Sequence, residues 1–222
     1  MDLKEAIEKR HSVRQYTDKK IEGEVEKDLR LEIENCINES GLNIQLCLNE
    51  EKAWGGGILG KMSSFKNVKN YVVIVGKKSE DLDEKIGYYG EKIVLKATQL
   101  GLNSCWAASG YKKSKICAEI GKNEKIFLIA IGYGINDGTP RKTKPIDKLG
   151  NVNDDSPQWF INGLKASQLA PTARNQQKFK FILSENIVEA SSSRGFFTKI
   201  DLGIAKYHFE IGADSKEWAW KT

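Results

Sequence analysis

The chain has 222 residues, and 40% of them are hydrophobic, which suffices for a sizeable core in one large domain or two small fused ones. Its longest apolar stretches, Tyr71–Val75 and Ile126–Ile131, are far shorter than the ~20 residues that a membrane helix needs, so we expect no membrane partner. The net charge is +5, but the lysines are spread along the chain rather than gathered into a dense stripe, so we expect no nucleic-acid partner.

The cysteines and histidines give no metal-binding pattern. Cys36, Cys47, Cys105 and Cys117 lack the paired spacing of a zinc site, and the chain has only two histidines, so we expect no metal and four buried thiols. The N-terminus is acidic and helical, whereas a signal peptide is basic and then apolar. These features are typical of a cytoplasmic protein.

The first third of the chain predicts two helices and a strand. Apolar spacing indicates a short helix over Asp2–Arg10 and a second helix over Glu24–Asn38, which Gly41 ends. Leu42–Leu48 alternates between apolar and polar residues, as a half-buried strand does. The glycines at 55–57 predict a flexible loop.

The middle of the chain predicts two buried strands, Tyr71–Val75 and Ile126–Ile131, with a helix over Gly90–Leu100 between them. Glycines at 132 and 134 follow the second strand, but they lack the spacing of a dinucleotide-binding loop and no helix comes after them. We therefore interpret them as a turn. The polar stretch Gly150–Asp155 indicates a linker.

The last third predicts a helix from Ser156 to Pro171, a strand over Lys178–Leu183 and a final helix from about Gly203. His208 lies on the apolar face of that final helix, which is typical of a core or interface histidine whose hydrogen bonds are satisfied. Core packing is the plainest role for Trp159, Trp218 and Trp220. Strands and helices alternate in both parts of the chain, which favours a layered α/β domain.

Two groups of cations are candidates for binding a phosphate. Arg10, Ser12 and Arg14 provide two guanidinium groups and a hydroxyl within five residues. Lys142 and Lys144 are two positions apart in a predicted extended stretch, so their side chains point the same way. A dianionic phosphate requires several such donors to converge. Taken alone, each group is also typical of solvated surface charge.

Four short motifs span most of the chain, and as a set they are fairly specific. They are Arg10-His11-Ser12-Val13-Arg14 after a short helix, Leu100-Gly101-Leu102-Asn103-Ser104-Cys105-Trp106, Lys142-Thr143-Lys144-Pro145, and Ala170-Pro171-Thr172-Ala173-Arg174-Asn175-Gln176-Gln177. Together they resemble the FMN-dependent nitroreductase family, and within it the small, single-chain TM-nitroreductase subgroup. The resemblance implies a three-layer α/β (α+β) nitroreductase-like fold.

The order of these motifs is unusual for that family. In typical members the Pro-Ser/Thr-x-x-Asn segment comes soon after the arginine motif, but here the clear copy is at 170–177 and only a faint Asn43-x-Gln45 occupies the usual place. Typical members are homodimers in which the partner subunit provides this segment. We therefore expect two parts: 1–150 carries the phosphate site, and 151–222 is a shortened second repeat that imitates a partner subunit, so the chain is a plausible monomer. A loose internal match, in which Gly90 and Gly203 each open a helix, agrees with this, although chance is the alternative.

The resemblance also assigns the site residues. It implies that the ribityl-phosphate of FMN is held by Arg10, His11, Ser12 and Arg14, with Lys142 and Lys144 completing the phosphate site. It places Pro171, Thr172, Ala173 and Asn175 at the isoalloxazine edge and ribityl chain, and Ala107, Ala108 and Ser109 near flavin N5. It implies no catalytic protein residue and no metal. Three positions depart from the family pattern: Lys144 replaces an arginine, Ala108 stands where many members have glutamate, and Lys178 replaces a proline.

The implied activity is FMN-dependent NAD(P)H oxidoreduction with ping-pong turnover. NAD(P)H would deliver a hydride to the flavin, and a small-molecule acceptor such as a nitroaromatic compound or a quinone would then take the electrons. One alternative is a protein of the same fold that stores or senses FMN without turnover. Another is a basic nucleic-acid-binding domain, whose binding would depend strongly on salt.

Overall fold

The computed structural model describes residues 1–54 and 64–221, which form two compact units. We call them by their sheets. The four-stranded unit comprises Lys9–Leu82 and Lys92–Pro140, and the three-stranded unit comprises Met1–Glu8, Asp83–Glu91 and Arg141–Thr222. The glycines at 55–57, predicted as a loop, lie outside the described residues. The predicted repeats 1–150 and 151–222 stay a prediction. They are successive stretches of sequence, whereas the two compact units are groups of residues that contact each other in space.

The regular elements are interspersed helices and strands. The helices are α1 Leu3–Lys9, α2 Gly23–Ser40, α3 Leu82–Gln99, α4 Ile146–Leu149, α5 Gln158–Ser167 and α6 Thr198–Ala213. The strands are β1 Asn43–Cys47, β2 Asn70–Lys77, β3 Asn103–Ala107, β4 Glu124–Gly132, β5 Phe179–Ser184, β6 Ile187–Ser192 and β7 Ala219–Trp220. Two expectations were wrong: Gly90 and Gly203 lie inside α3 and α6 instead of opening them.

The sheet of the four-stranded unit has the strand order β1-β2-β4-β3, and each neighbouring pair is antiparallel. Residues Tyr71–Val75 of β2 are fully buried between β1 and β4, with Val73 opposite Leu128. A strand covered on both faces has no polar side, which is why it is a continuous apolar run in the sequence. Because the strands are antiparallel, the layered domain predicted from alternating elements is of the α+β type.

An aromatic core holds the three-stranded unit together. Trp159 stacks on Trp218 with ring centroids 5.7 Å apart and an interplanar angle of 9°. Phe209 meets the Trp218 ring edge-on at 5.1 Å and lies 4.8 Å from Phe181, a buried residue of β5. Each such pair stabilises the fold by about 0.5–1.5 kcal/mol beyond the area that it buries. The packing role predicted for the tryptophans is confirmed, since Trp220 also contacts Phe209.

Helices α3 and α6 cross within the three-stranded unit at two glycines. A Cβ atom added to Gly87 would collide with the carbonyl oxygen of Ile200, and one added to Gly203 would collide with the carbonyl oxygen of Glu84. Each glycine therefore lies against the carbonyl group three residues before the other glycine. Only a residue without a side chain permits this approach, which explains why Gly203 lies in the middle of a helix.

The three-stranded unit also buries a hydrogen-bonded pair of ionisable side chains, His208 and Glu91. The His208 side chain is fully buried, with Nδ1 3.1 Å from the Ala166 carbonyl oxygen and Nε2 2.9 Å from Oε1 of Glu91, which is also fully buried. The prediction of a core histidine with satisfied hydrogen bonds is confirmed.

Three of the four cysteines are buried as predicted, but the expectation was wrong for Cys117, which is exposed. The backbone of Cys117 is held in place, because its N–H donates to the Tyr71 hydroxyl at 3.0 Å and its carbonyl oxygen accepts the thiol hydrogen of Cys47. These bonds fix the main chain and leave the Cys117 side chain at the surface.

Among the described residues, no helix is both long and apolar enough to cross a membrane.

Candidate functional site

The arginine motif of the four-stranded unit runs beside the start of β3. Ser12 forms a parallel bridge with Ser104, and the Val13 N–H donates to the Ser104 carbonyl oxygen at 3.0 Å. Val13 is 2% exposed and belongs to the apolar core. Because side chains alternate along an extended segment, anchoring Val13 in the core leaves Ser12 and Arg14 on the opposite side.

Three predicted phosphate ligands affect the pKa of Cys105, the middle residue of β3. Burial raises the pKa of the Cys105 thiol, whereas the positive charge of Arg14, a hydrogen bond with Ser12 and the charge of Arg10 lower it. Ser12 is therefore hydrogen-bonded to Cys105, and the charges of Arg10 and Arg14 act on the same residue of β3. Arg10 is only 3% exposed, while Arg14 is exposed.

Strand β3 continues from this point to a second predicted group. Ala107 is its last residue and is buried, and the exposed Ala108 and Ser109 follow directly. Ala107 lies three positions after Ser104, a distance of about 10 Å along a strand. The arginine motif therefore lies beside the start of β3 and the segment 107–109 lies at its end, an arrangement that no local sequence pattern reveals.

The segment after β4 packs against the arginine motif. Gly138 has a φ of +79°, and a Cβ atom at that position would lie 2.7 Å from the Cβ of His11. The N–H of Gly134 donates to Oδ1 of Asn103 at 2.9 Å, and a Cβ there would lie 2.8 Å from Val13. The interpretation of Gly132 and Gly134 as a turn after the strand was wrong in part, because Gly132 is the last residue of β4 and Gly134 forms a β-bridge with Tyr16. The chain bends only after them, at 135–136.

In the three-stranded unit, Gln177 links the two lysines to the loop 171–177. Gln177 is 3% exposed; its Oε1 accepts from the Lys144 N–H at 2.8 Å, and its Nε2 donates to the Lys142 carbonyl oxygen at 3.0 Å. The amide of Asn175 also donates to the Lys142 carbonyl oxygen, at 2.8 Å. The structure therefore brings together the two predicted groups of this unit. The Lys144 ammonium donates to the Gln177 carbonyl oxygen at 2.8 Å, which uses one of its three hydrogens.

The loop 171–177 has a strained backbone. Arg174, Asn175 and Gln177 have φ values of 52°, 55° and 44°. These values lie in the left-handed region, which residues other than glycine rarely adopt. Each such residue costs about 1–3 kcal/mol and persists only where surrounding bonds enforce it. The Gln177 N–H donates to Oγ1 of Thr172 at 3.1 Å, which closes the loop on itself. Strain of this kind is common at ligand-binding sites.

Asp201, near the start of α6, anchors the same loop, and the sequence analysis missed it. Its carboxylate is 2% exposed and accepts hydrogen bonds from the Ala173 N–H at 2.9 Å and from Nε2 of Gln176 at 2.6 Å. Burial raises the pKa of Asp201 to about 6, although these two bonds lower it in part. The sequence feature that could have identified Asp201 is its position between two apolar residues, Ile200 and Leu202, near the start of a helix.

The remaining predicted residues differ in exposure. Pro171 is buried, Thr172 and Ala173 are half-buried, and Asn175, Lys142 and Lys144 are exposed. The donor set of the four-stranded unit suits a dianion, because two guanidinium groups and a hydroxyl can all donate to phosphate oxygens. These residues therefore have the chemistry needed to bind a phosphate group.

Comparison with known proteins agrees with the fold. The family model described as "Putative TM nitroreductase" matches residues 2–213. The crystal structure of a "putative nitroreductase" from Thermotoga maritima MSB8 is 24% identical and has a TM-score of 0.67, over 96% of this chain and 83% of that one. A nitroreductase family protein from Streptococcus pneumoniae TIGR4 is 19% identical, with a TM-score of 0.51, over 67% of this chain and 98% of that one. No curated protein matches the chain. Because the family model covers nearly the whole chain, this protein belongs to the nitroreductase family, as its motifs predicted.

Proposed function

We propose that this protein is an FMN-dependent oxidoreductase that takes electrons from NAD(P)H and passes them to a nitroaromatic, quinone or similar small acceptor. Membership of the nitroreductase family supports a flavin-dependent oxidoreductase in general. The choice of FMN, the reductant and the acceptor class rest on the motifs. The observation that carries the proposal is the packing of the arginine motif along β3, where Ser12 bridges to Ser104 and the Val13 N–H donates to the Ser104 carbonyl oxygen.

The proposed role of this cluster is to hold the FMN phosphate. Each guanidinium can donate two parallel hydrogen bonds to phosphate oxygens, and Ser12 adds a hydroxyl. Arg10 is nearly inaccessible to water, so an anion paired with it is less screened than one at an exposed lysine. His11, beside these residues, is proposed as a further donor. A site of this kind distinguishes FMN from riboflavin, which lacks the phosphate.

The other residues are assigned by the family motifs. We assign Lys142 and Lys144 to the phosphate as well, and Pro171, Thr172, Ala173 and Asn175 to the isoalloxazine edge and ribityl chain. Ala107, Ala108 and Ser109 are assigned to the region of flavin N5. The strained backbone at Arg174 and Asn175 supports a ligand-binding role for the loop.

When bound, the flavin provides the hydride chemistry, and the protein provides binding, orientation and electrostatics. We assign no side chain as a catalytic acid, base or nucleophile. The task of the chain is to anchor the phosphate through Arg10 and Arg14 and to fix the loop 171–177 through Gln177 and Asp201. A site anchored in this way positions the ring without requiring a residue that reacts.

We further propose that the second part of the chain imitates a partner subunit. The order helix, strand, strand, helix, strand occurs as α2-β1-β2-α3-β3 and again as α5-β5-β6-α6-β7. The helix starts at 82 and 198, the crossing glycines at 87 and 203, and the strand starts at 103 and 219 are each separated by 116 positions. Reciprocal contacts of this kind are typical of a two-fold interface between like parts. The proposal implies one FMN for each chain and a monomer.

Substitution of the arginines tests the phosphate site. Arg10→Ala with Arg14→Ala removes two charge-assisted anchors and should weaken FMN binding at least about 100-fold, measured by fluorescence titration of the apoprotein. The control, Lys27→Ala with Arg30→Ala, removes two cations from the exposed face of α2, where ion pairs with Glu24 and Glu26 contribute little. Unchanged affinity in the arginine variant would refute the assignment. FMN binding without oxidation of NAD(P)H would instead indicate a storage or sensor protein.

A further inference from the structure

Phe196 is an aromatic side chain that the fold leaves in solvent. It is 86% exposed and lies in the short connection between β6 and α6, next to Phe197, which is 40% exposed. The fold gains nothing from a ring left this exposed, which makes Phe196 a candidate for contact with a ligand. By contrast, Phe160, Phe181 and Phe209 of the same unit are fully buried.

The connection that carries Phe196 is attached to the candidate ring-binding loop. The Phe196 carbonyl oxygen accepts a hydrogen bond from Nε2 of Gln176 at 2.9 Å. Nζ of Lys178 donates to the Arg194 carbonyl oxygen at 3.1 Å, and the Ser193 N–H donates to the Lys178 carbonyl oxygen at 3.0 Å. Three bonds therefore hold the segment 193–196 against the end of the loop.

The backbone beside Phe196 is constrained as well. Phe197 adopts a φ of 62°, which is unusual for an aromatic residue. A Cβ atom at Gly195, the residue before Phe196, would lie 2.9 Å from Cγ2 of Thr198, so the chain is also closely packed there. Gln176, which bonds to the Phe196 carbonyl oxygen, also donates to Asp201. The exposed ring is thus carried by a fixed turn rather than by a free chain end.

We propose that Phe196 determines acceptor specificity by stacking its ring on a planar aromatic acceptor bound at the loop 171–177. The inference rests on the proposed function, because that function assigns the loop to the isoalloxazine edge. A phenyl ring prefers offset or edge-on contact with another aromatic ring, and such a contact adds affinity beyond simple burial. A compact acceptor without an aromatic plane gains nothing from it. Phe196 should therefore affect nitroaromatic compounds and quinones but not ferricyanide.

The test is the rate at which the chemically reduced holoenzyme is reoxidised, followed by rapid mixing with each acceptor. Phe196→Ala should lower the second-order rate constant about tenfold for a nitrobenzene derivative and for benzoquinone. Phe196→Trp should stay within about twofold of wild type, since indole also provides a stacking face. The rate with ferricyanide should be unchanged in both variants.

A matched control is Ile187→Ala, which removes another exposed apolar side chain of the same unit. Ile187 pairs with Ser184 at the turn of the β5–β6 hairpin, five residues and about 17 Å along the strand from Ser192, which precedes the Phe196 turn. This variant should match wild type with all three acceptors.

The outcomes separate the inference from the function on which it rests. Wild-type rates for Phe196→Ala with the aromatic acceptors would overturn the inference alone, as would an equal loss with ferricyanide, which would indicate a structural role. A shift in gel-filtration elution with unchanged rates would overturn it in favour of contact with a second copy. A wild-type protein that takes up no FMN would overturn the proposed function and the inference with it.

Discussion

Gly87 and Gly203 lie at the crossing of α3 and α6, each against the carbonyl group three residues before the other. The contact is reciprocal, as it would be between two subunits related by a two-fold axis, but both helices belong to one chain. The same pairing gives each glycine a packing role. The stability of this helix crossing therefore depends on glycine at both positions, because any larger residue would place a Cβ atom against a carbonyl oxygen.

Gly203→Ala should destabilise the protein, although alanine is the better helix former. In an exposed helix the change would add up to about 1 kcal/mol of stability. Here the added methyl group collides with the Glu84 carbonyl oxygen and the helices must separate, so we expect the free energy of unfolding to fall by about 2 kcal/mol or more. Urea denaturation measures the difference. Gly87→Ala should behave in the same way.

A suitable control is Lys165→Ala, at an exposed position of α5 in the same unit, which should change the free energy of unfolding by less than about 0.5 kcal/mol. A stabilised Gly203→Ala variant would show that the helices do not approach each other this closely.

The buried pair of Glu91 and His208 should tolerate an amide but not an alkyl group. The Ala166 carbonyl oxygen can only accept, so His208 Nδ1 carries a hydrogen, and a single proton is shared between His208 Nε2 and Glu91 Oε1. In Glu91→Gln the new amide can donate to a neutral Nε2, so the free energy of unfolding should stay within about 1 kcal/mol of wild type. Thermal or urea unfolding checks this.

Glu91→Ala removes the partner and leaves a buried nitrogen and a cavity, so it should cost about 3 kcal/mol or more. Equal effects of the amide and the alanine variants would contradict the proton assignment, because only the amide restores the bond.

Asp201 should make the protein less stable as the pH rises. Burial holds the pKa of its carboxyl at about 6 in the folded state, above the ~3.9 of an unfolded chain. The folded state therefore binds more protons between about pH 4 and pH 6, and the contribution of this group to stability falls by about 3 kcal/mol across that window. Asp201→Asn does not titrate, so its stability relative to wild type should rise with pH.

The measurement is a series of urea unfolding curves for wild type and Asp201→Asn at several pH values across that window. Asp154→Asn, at an exposed turn position, controls for the loss of a carboxylate. If the difference between wild type and Asp201→Asn does not depend on pH, Asp201 does not titrate as the structure requires.

Gln177 should control access to the backbone around Lys142. Its amide bonds to the main chain of Lys142 and Lys144, so Gln177→Leu should release this segment. We expect trypsin to cleave after Arg141 or Lys142 about tenfold faster than in wild type, because the lost hydrogen bonds lower the free energy of local opening. Mass spectrometry of timed digests locates the cut.

The matched change Gln158→Leu removes an amide that bonds to Asn162 on the exposed side of α5, and it should leave the cleavage rate after Arg141 and Lys142 unchanged. A Gln177 variant that is cut no faster than wild type would show that other contacts hold the segment.

The elements that the sequence predicted well are those whose signal is local. The strand β2 is a run of apolar residues because both of its faces are covered, and α2 ends where Gly41 adopts a φ of 70°. The strand β3 was missed because Asn103–Ala107 has no strong apolar alternation, and its pairing with β4 and the Ser12 segment depends on tertiary contacts. Gly203 was placed at a helix start because the reason for that glycine lies on another helix, at Glu84.

The same distinction between local patterns and tertiary contacts applies to the residues of the candidate site. Arg10, Ser12 and Arg14 were found because they are close in sequence, and the motif at 170–177 was found by its resemblance to a family. The sequence did not reveal that Gln177 joins that motif to the lysine segment, or that Asp201 bonds to Ala173. Both roles depend on buried polar contacts between residues far apart in the chain, which no local pattern encodes.

We propose that one chain provides the groups that, in a homodimer, two subunits would provide. The most direct test is the stoichiometry of FMN in the purified, flavin-saturated protein, measured together with its mass in solution. The account predicts one FMN for each chain in a monomer, because the second part has no counterpart of Arg10 and Arg14. Two FMN molecules for each chain would contradict it, and so would a dimer that binds flavin only when assembled.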